Sequence, residues 1–302
     1  MNDPILHALA QFPWPFVTAA LTMAFGMCIG SFLNVCIYRI PLDMSLSRPR
    51  RSFCPHCETQ IAWYDNIPVL SFLLLGGRCR HCQASIRLRY ILVEALTGVL
   101  FTLVWLKFCP VGDRMFLGLA PVTDVRLVPV YWLAVGGLIL GSFVDFEHLI
   151  IPDRVTLGGI AAGLILSAAV PALHGAESAL HGLTMGAIGA AAGWGLLWGI
   201  ALFGRFLFKK EAMGFGDVKL MGAIGAFFGW RSVLAGVMIS SLAGSLVGIA
   251  LILAGRKKMQ SKIPFGPYLA LAALVWLLWG PALWNAYLNL LAPAQPGVQP
   301  LY

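Results

Sequence analysis

Long apolar runs separated by short polar junctions dominate the chain, and their lengths predict helices rather than strands. Eight runs stand out, at 16–38, 90–109, 128–146, 155–173, 181–203, 217–231, 232–254 and 266–291. Crossing the hydrocarbon core as a helix takes about 20 such residues. Pro, Gly or charge marks the junctions between them. The sixth run is the short one: at ~1.5 Å per residue it reaches roughly 22 Å, against a core of roughly 30 Å. A short crossing, with Asp217 recessed or the membrane thinned, keeps the topology of the later runs. A re-entrant hairpin would invert it. The glycines of 182–199 (Gly182, Gly186, Gly189, Gly193, Gly195, Gly199) read as a small-residue packing face, not as a nucleotide-binding fingerprint.

Composition fixes the class. Residues are 59% hydrophobic and only 11% charged, whereas a soluble domain carries roughly a quarter charged residues. The expected fold is an all-α polytopic membrane protein of about eight transmembrane helices. The first run carries no Lys or Arg at its start and continues into Gly30-Ser31-Phe32-Leu33-Asn34-Val35 without a cleavage site. It is expected to stay in the mature protein rather than leave as a signal peptide.

A net charge of +8 invites a nucleic-acid reading, but the distribution of the charge argues for a membrane rule instead. Eight arginines between Arg39 and Arg89 face only Asp43, Glu58 and Asp65. With eight crossings, Arg154, then Arg205, Lys209 and Lys210, then Arg256, Lys257, Lys258 and Lys262 fall on that same side. Lys107, Arg114, Arg126 and Arg231 fall on the other, so the bias is sixteen to four. The basic side is cytoplasmic. Both termini are then expected outside, and Asp145 and Asp217 at the inner face. Membrane lipid, not nucleic acid, is the expected surroundings.

The organisation that follows is a periplasmic N-terminus with the first helix (1–38), a cytoplasmic loop (39–89), and helices two to eight (90–302). Within the loop lie Cys54-Pro55-His56-Cys57 and Cys79-Arg80-His81-Cys82, 21 residues apart. Paired C-x-x-C knuckles bring four thiolates onto one soft ion, usually zinc. A cytoplasmic position argues against disulfides. Four protein ligands leave no open position for a reacting water, so the zinc is expected to be structural. A loop this poor in aliphatics needs the metal's binding energy to fold. Cys28, Cys36 and Cys109 sit in apolar runs and read as small packing residues.

Four acids lie near the inner face: Asp145, Glu147, Asp153 and Asp217. Asp153 follows Pro152 and precedes a run, so its plain reading is a helix N-cap or first-turn acid. Glu147 reads as a loop residue. Asp145 and Asp217 sit at the mouths of apolar segments, where a carboxylate is costly and its default reading is functional. Gly214 and Gly216, just before Asp217, permit close backbone approach. Two carboxylates brought close share a proton, an arrangement that activates water against a peptide carbonyl. Residue types alone leave open a proton-coupled transporter with a zinc-ribbon loop. No G-x-S-x-G, H-E-x-x-H or phosphate-loop motif is present.

An ordered set of motifs narrows the choice. Gly30-Ser31-Phe32-Leu33-Asn34-Val35, Tyr38-Arg39-Ile40-Pro41, both cysteine knuckles, Trp63-Tyr64-Asp65-Asn66-Ile67-Pro68, Arg89-Tyr90 and Val93-Glu94 come first. Asp145 to Asp153, Gly214-Phe215-Gly216-Asp217-Val218-Lys219-Leu220 and Pro264-Phe265-Gly266-Pro267 follow. Through nearly its whole length the chain resembles the type IV prepilin leader peptidases, bifunctional bacterial enzymes of the GxGD aspartyl type.

The resemblance implies that Asp145 and Asp217 are the catalytic pair, and that Cys54, Cys57, Cys79 and Cys82 bind zinc. It implies prepilins and type II secretion pseudopilins as substrates, cut after a glycine at the cytoplasmic face of the inner membrane. It also implies methylation of the new amino terminus from S-adenosylmethionine, although no fingerprint locates that donor. Gly77 and Glu94 match family positions without a readable role. Glu147 and Asp153 are expected to support the site by meeting the basic leader. A presenilin-type intramembrane protease shares G-x-G-D, but its other acid follows tyrosine, and here Val144 precedes Asp145.

Overall fold

The computed structural model describes residues 14–48, 52–108, 124–209, 213–255 and 264–291. Arg50, Arg51, Cys109, Arg114, Lys210, the Arg256–Lys262 cluster and both termini lie outside them. Among the described residues the regular structure is helical, with only isolated bridges at Phe53–Gln60 and Arg78–Ser85. The helices are α1 (Trp14–Arg39), the short α2 (Leu70–Leu74), α3 (Arg89–Phe108), α4 (Leu127–His148), α5 (Asp153–Ala169), α6 (Ala179–Phe208), α7 (Phe215–Leu253) and α8 (Gly266–Leu291). Six of them, α1, α3, α4, α6, α7 and α8, are long and apolar enough to span a bilayer.

Two compact units divide between Val144 and Asp145. In the first, α1 packs along α3, and the Trp132 indole of α4 stacks on Phe101 at 5.1 Å while donating to its carbonyl. Asn34 on α1 donates its amide to the Tyr90 carbonyl at the start of α3.

In the second unit α6 and α7 share the most extensive contact, with α5 and α8 against α7. A Cβ on Gly189 would run into the Gly225 carbonyl, and one on Gly225 into that of Gly189. Of the glycines expected to form a packing face along α6, Gly182, Gly186, Gly189 and Gly193 meet neighbouring segments closely, whereas Gly195 and Gly199 face open space. Large apolar side chains such as Phe206, Leu253 and Leu290 point outward, as lipid-facing residues do.

The expected runs map onto these helices, with two differences in detail. The 155–173 run is helical only to Ala169 and ends in a 3₁₀ turn, Pro171–His174. The 217–231 and 232–254 runs are the two arms of α7. Gly229 separates them at φ 76°, ψ 171°, a conformation essentially confined to glycine. Here the chain doubles back: a Cβ on Gly236 would lie 3.3 Å from the Met221 methyl, whereas a straight helix would set these residues roughly 22 Å apart. The turn falls just ahead of Arg231, the charge that marks the junction in the sequence.

Candidate active site and metal centre

Asp145 lies in the last turn of α4. That helix stops because Leu149 turns left-handed, φ 55°, while its N–H still bonds to the Asp145 carbonyl. Pro152 then sets an extended corner, and its carbonyl receives the first amides of α5. Asp217 sits in the first turn of α7, behind Gly214 at the N-cap position. Both aspartates are buried, at 5% and 8% exposure, so neither is an ordinary solvated carboxylate.

Each is held by the amide of a glycine at the start of a helix. Gly266 N–H, opening α8, donates to Asp145 Oδ2 at 3.0 Å. The Asp217 carboxylate folds back onto the Gly214 amide, as an acid does at the third helical position. Helix N-termini favour negative charge, so both carboxylates rest against positive ends. Ile151, itself buried, packs against both helix starts: Cβ atoms built on Gly216 and Gly266 would stand 3.3 Å and 3.0 Å from its side chain. The structure thus gathers Asp145, Asp217, Gly214 and Gly216 around one point, and the two carboxylates interact electrostatically.

The supporting acids are placed differently. Glu147 is exposed at the end of α4. Asp153 is a first-turn residue of α5 but makes no capping hydrogen bond, so the N-cap alternative does not hold. Pro152 already occupies that position, and the Asp153 carboxylate instead bonds to Lys219 Nζ at 2.6 Å. Lys219 also covers the Phe215 ring, and Phe215 sits edge-on to Trp194 of α6.

Sequence reasoning gave no role to Gly266, Ile151 or Lys219. Gly266 was visible only as part of Pro264-Phe265-Gly266-Pro267, and Lys219 only as the lone charge in its run.

The four loop cysteines converge, their sulfurs all within 4.8 Å of one another. The two knuckles repeat one another. Cys54 N–H bonds to Thr59 C=O at 3.0 Å and Cys79 N–H to Ala84 C=O at 2.9 Å. Glu58 and Gln83 take the same left-handed turn, at φ 56° and 59°. Cys54 and Cys82 sulfurs are 3.8 Å apart, and thiolates ~2.3 Å from a tetrahedral zinc stand roughly 3.8 Å apart. The donor set therefore fits a zinc ion, which the cluster can hold.

Hydrogen bonds from Thr59 bring the Cys57 thiol down to about 6, and those from Cys82 and His81 lower Cys79. The Ala84 amide pulls Cys82 the same way, but burial and the other three sulfurs prevail and push it up to about 11. In the same loop Arg80 grips Asp65 with two hydrogen bonds, 2.6 and 2.8 Å, which keeps that carboxyl below its ordinary range.

Glu94 receives the Val69 N–H at 2.8 Å, and Gly77 turns at φ 68° against the Phe72 ring.

The chain thus combines a buried aspartate pair at helix ends with a loop whose four cysteines can hold a metal. Comparison with known proteins supplies the family. The Bacterial Peptidase A24 N-terminal domain matches residues 24–108 and the Type IV leader peptidase family matches residues 132–249. Proteins named prepilin leader peptidase/N-methyltransferase are similar over nearly their whole length. That of Aeromonas hydrophila is 36% identical over 94% of this chain and 98% of its own. Those of Stutzerimonas stutzeri and Pseudomonas aeruginosa are 33% and 32% identical, over 93% and 95% of this chain and 96% and 98% of theirs. No solved structure matches. The chain belongs to the type IV leader peptidase family, and its long apolar helices make it a multi-pass membrane protein.

Proposed function

We propose that this enzyme removes the basic leader from type IV prepilins and type II secretion pseudopilins, cutting after a glycine at the cytoplasmic face of the inner membrane. It then methylates the new amino terminus. The observation that carries the peptidase reading is the burial of Asp145 and Asp217, each against a helix-start amide and electrostatically coupled to the other.

One carboxylate takes a proton from water as the oxygen attacks the scissile carbonyl. The other, protonated, delivers a proton to the leaving amine. Gly214 and Gly216 let the backbone of α7 come close enough for this, and Glu147 and Asp153 meet the basic leader. In this organisation residues 1–38 supply the first helix, 39–89 the cytoplasmic insert, and 90–302 the helices that carry the dyad. Zinc held by Cys54, Cys57, Cys79 and Cys82 is structural, because all four positions are filled by protein. S-adenosylmethionine supplies an electrophilic methyl group for transfer to the amine.

The test is cleavage of a purified prepilin by Asp145→Asn and Asp217→Asn proteins. Each substitution removes one half of the acid–base pair, a contribution of about 10²–10⁴-fold. Cleavage by either variant at more than a tenth of the parent rate would refute the dyad.

A further inference from the structure

A cavity of about 520 Å³ lies in the first unit, among the cytoplasmic end of α1, the metal-binding loop and the start of α3. That volume is within the roughly 300–1,000 Å³ of small-molecule sites. Its lining joins residues that sequence reasoning left without chemistry.

Asn34 is 3% exposed; its amide nitrogen is committed to Tyr90, but its Oδ1 is buried without a hydrogen-bond partner. A buried acceptor of this kind is costly unless something donates to it. Glu94 lines the same space, fixed by the Val69 amide and by Ser31. Two donors leave a carboxylate with lone pairs to spare, and its charge faces a partly buried space. Tyr38 and Phe72 add ring surfaces, and Arg87 is a cation at the margin.

A ligand that answers all of these groups carries an amino-bearing flat ring, a fixed positive charge and a carboxylate. Those are the parts of an adenosyl sulfonium amino acid.

We propose that this cavity is the methyl-donor site, with Asn34 Oδ1 receiving the nucleobase amine and Glu94 facing the sulfonium. The proposal rests on the methyl-transfer half of the function above and gives it a location. Arg39 lines the cavity too, and its Nη1 donates to the Ser45 and Leu46 carbonyls, both at 3.1 Å. Those two bonds tie the end of α1 to the chain that follows it.

Equilibrium dialysis on the full-length protein, with radiolabelled S-adenosylmethionine and with neutral S-adenosylhomocysteine, tests it. Glu94→Gln keeps an oxygen for the Val69 amide and removes only the charge. It should weaken the sulfonium ligand roughly tenfold or more, the worth of one charge-assisted contact. The neutral ligand should change by less than about threefold, a split that a merely structural role for Glu94 would not produce. Asn34→Leu should weaken both ligands alike. Ultraviolet cross-linking of the labelled donor to the unmodified protein gives an answer that needs no variant: labelled peptides should fall within residues 31–94. Donor binding by the parent that neither variant disturbs, or label confined to residues 145–302, would overturn the location alone. A parent that binds no donor would overturn the location together with the methyl-transfer reading.

Discussion

Replacing Gly266 with alanine probes how tightly Asp145 is held. The new methyl would stand 2.9 Å from Asp145 Oδ2 and 3.0 Å from Ile151 Cδ1, about 0.5 Å inside ordinary contact on both sides. Ile151 is buried and cannot swing away, so the carboxylate retreats by about half an ångström. The Gly266 hydrogen bond, now 3.0 Å, stretches to about 3.5 Å and is effectively lost. A hydrogen bond to a charged group is worth about 1.5–3 kcal/mol, and a misplacement of about 1 Å near reacting atoms costs about 10²-fold. Together these predict a fall in kcat of about 10- to 100-fold with little change in KM. Alanine is the better helix former by up to about 1 kcal/mol, so the loss is not one of folding. Steady-state cleavage of a purified prepilin reads the effect. Gly199→Ala, whose Cβ meets nothing within 4 Å, is the matched control. A Gly266→Ala enzyme with kcat within about twofold of the parent would show that this amide does not position the dyad.

The remaining expectations are more local. Cys54→Ser and Cys82→Ser should each lose stoichiometric zinc by elemental analysis, and full zinc in both would remove the metal site. Zinc uptake by the stripped protein should release protons at neutral pH, because Cys82, at about 11, enters as a thiol while Cys57, at about 6, is already ionised. Affinity then weakens as pH falls; uptake with no proton release in an indicator-dye assay would contradict this. Charge reversal to lysine at Glu147 or at Asp153, the partner of Lys219, should raise KM for a basic leader. An unchanged KM in both variants would dissociate both residues from leader binding.

What the sequence disclosed depended on range. Apolar runs are written in consecutive residues, so the helices were legible, and so were the knuckles, whose ligands lie three positions apart within tight local turns. Contacts between distant segments were not. Gly266 meets Asp145 and Lys219 meets Asp153 only because helices pack, and no periodicity within one run announces a partner in another. Asp153 illustrates the limit: its place at a helix start was readable, whereas its partner depended on α7. Gly229 is a middle case. A charge marked the junction, but glycines are frequent throughout α7 and only the backbone angle picks out the one that turns.

The reversal at Gly229 also has a consequence of parity. Laid straight, the 39 residues of α7 would cover about 58 Å and deliver their far end beyond the opposite leaflet. Folded at the glycine, they return to the level from which they left. Gly244 reaches the rings of Phe265 and Tyr268, and it stands about as far past the turn as Phe215 stands before it. The final helix therefore enters from the leaflet that holds Asp217, which is what allows its first amide to find Asp145. A side chain at position 229 would register as a lost handshake between the two acids, a dozen residues from the nearer one.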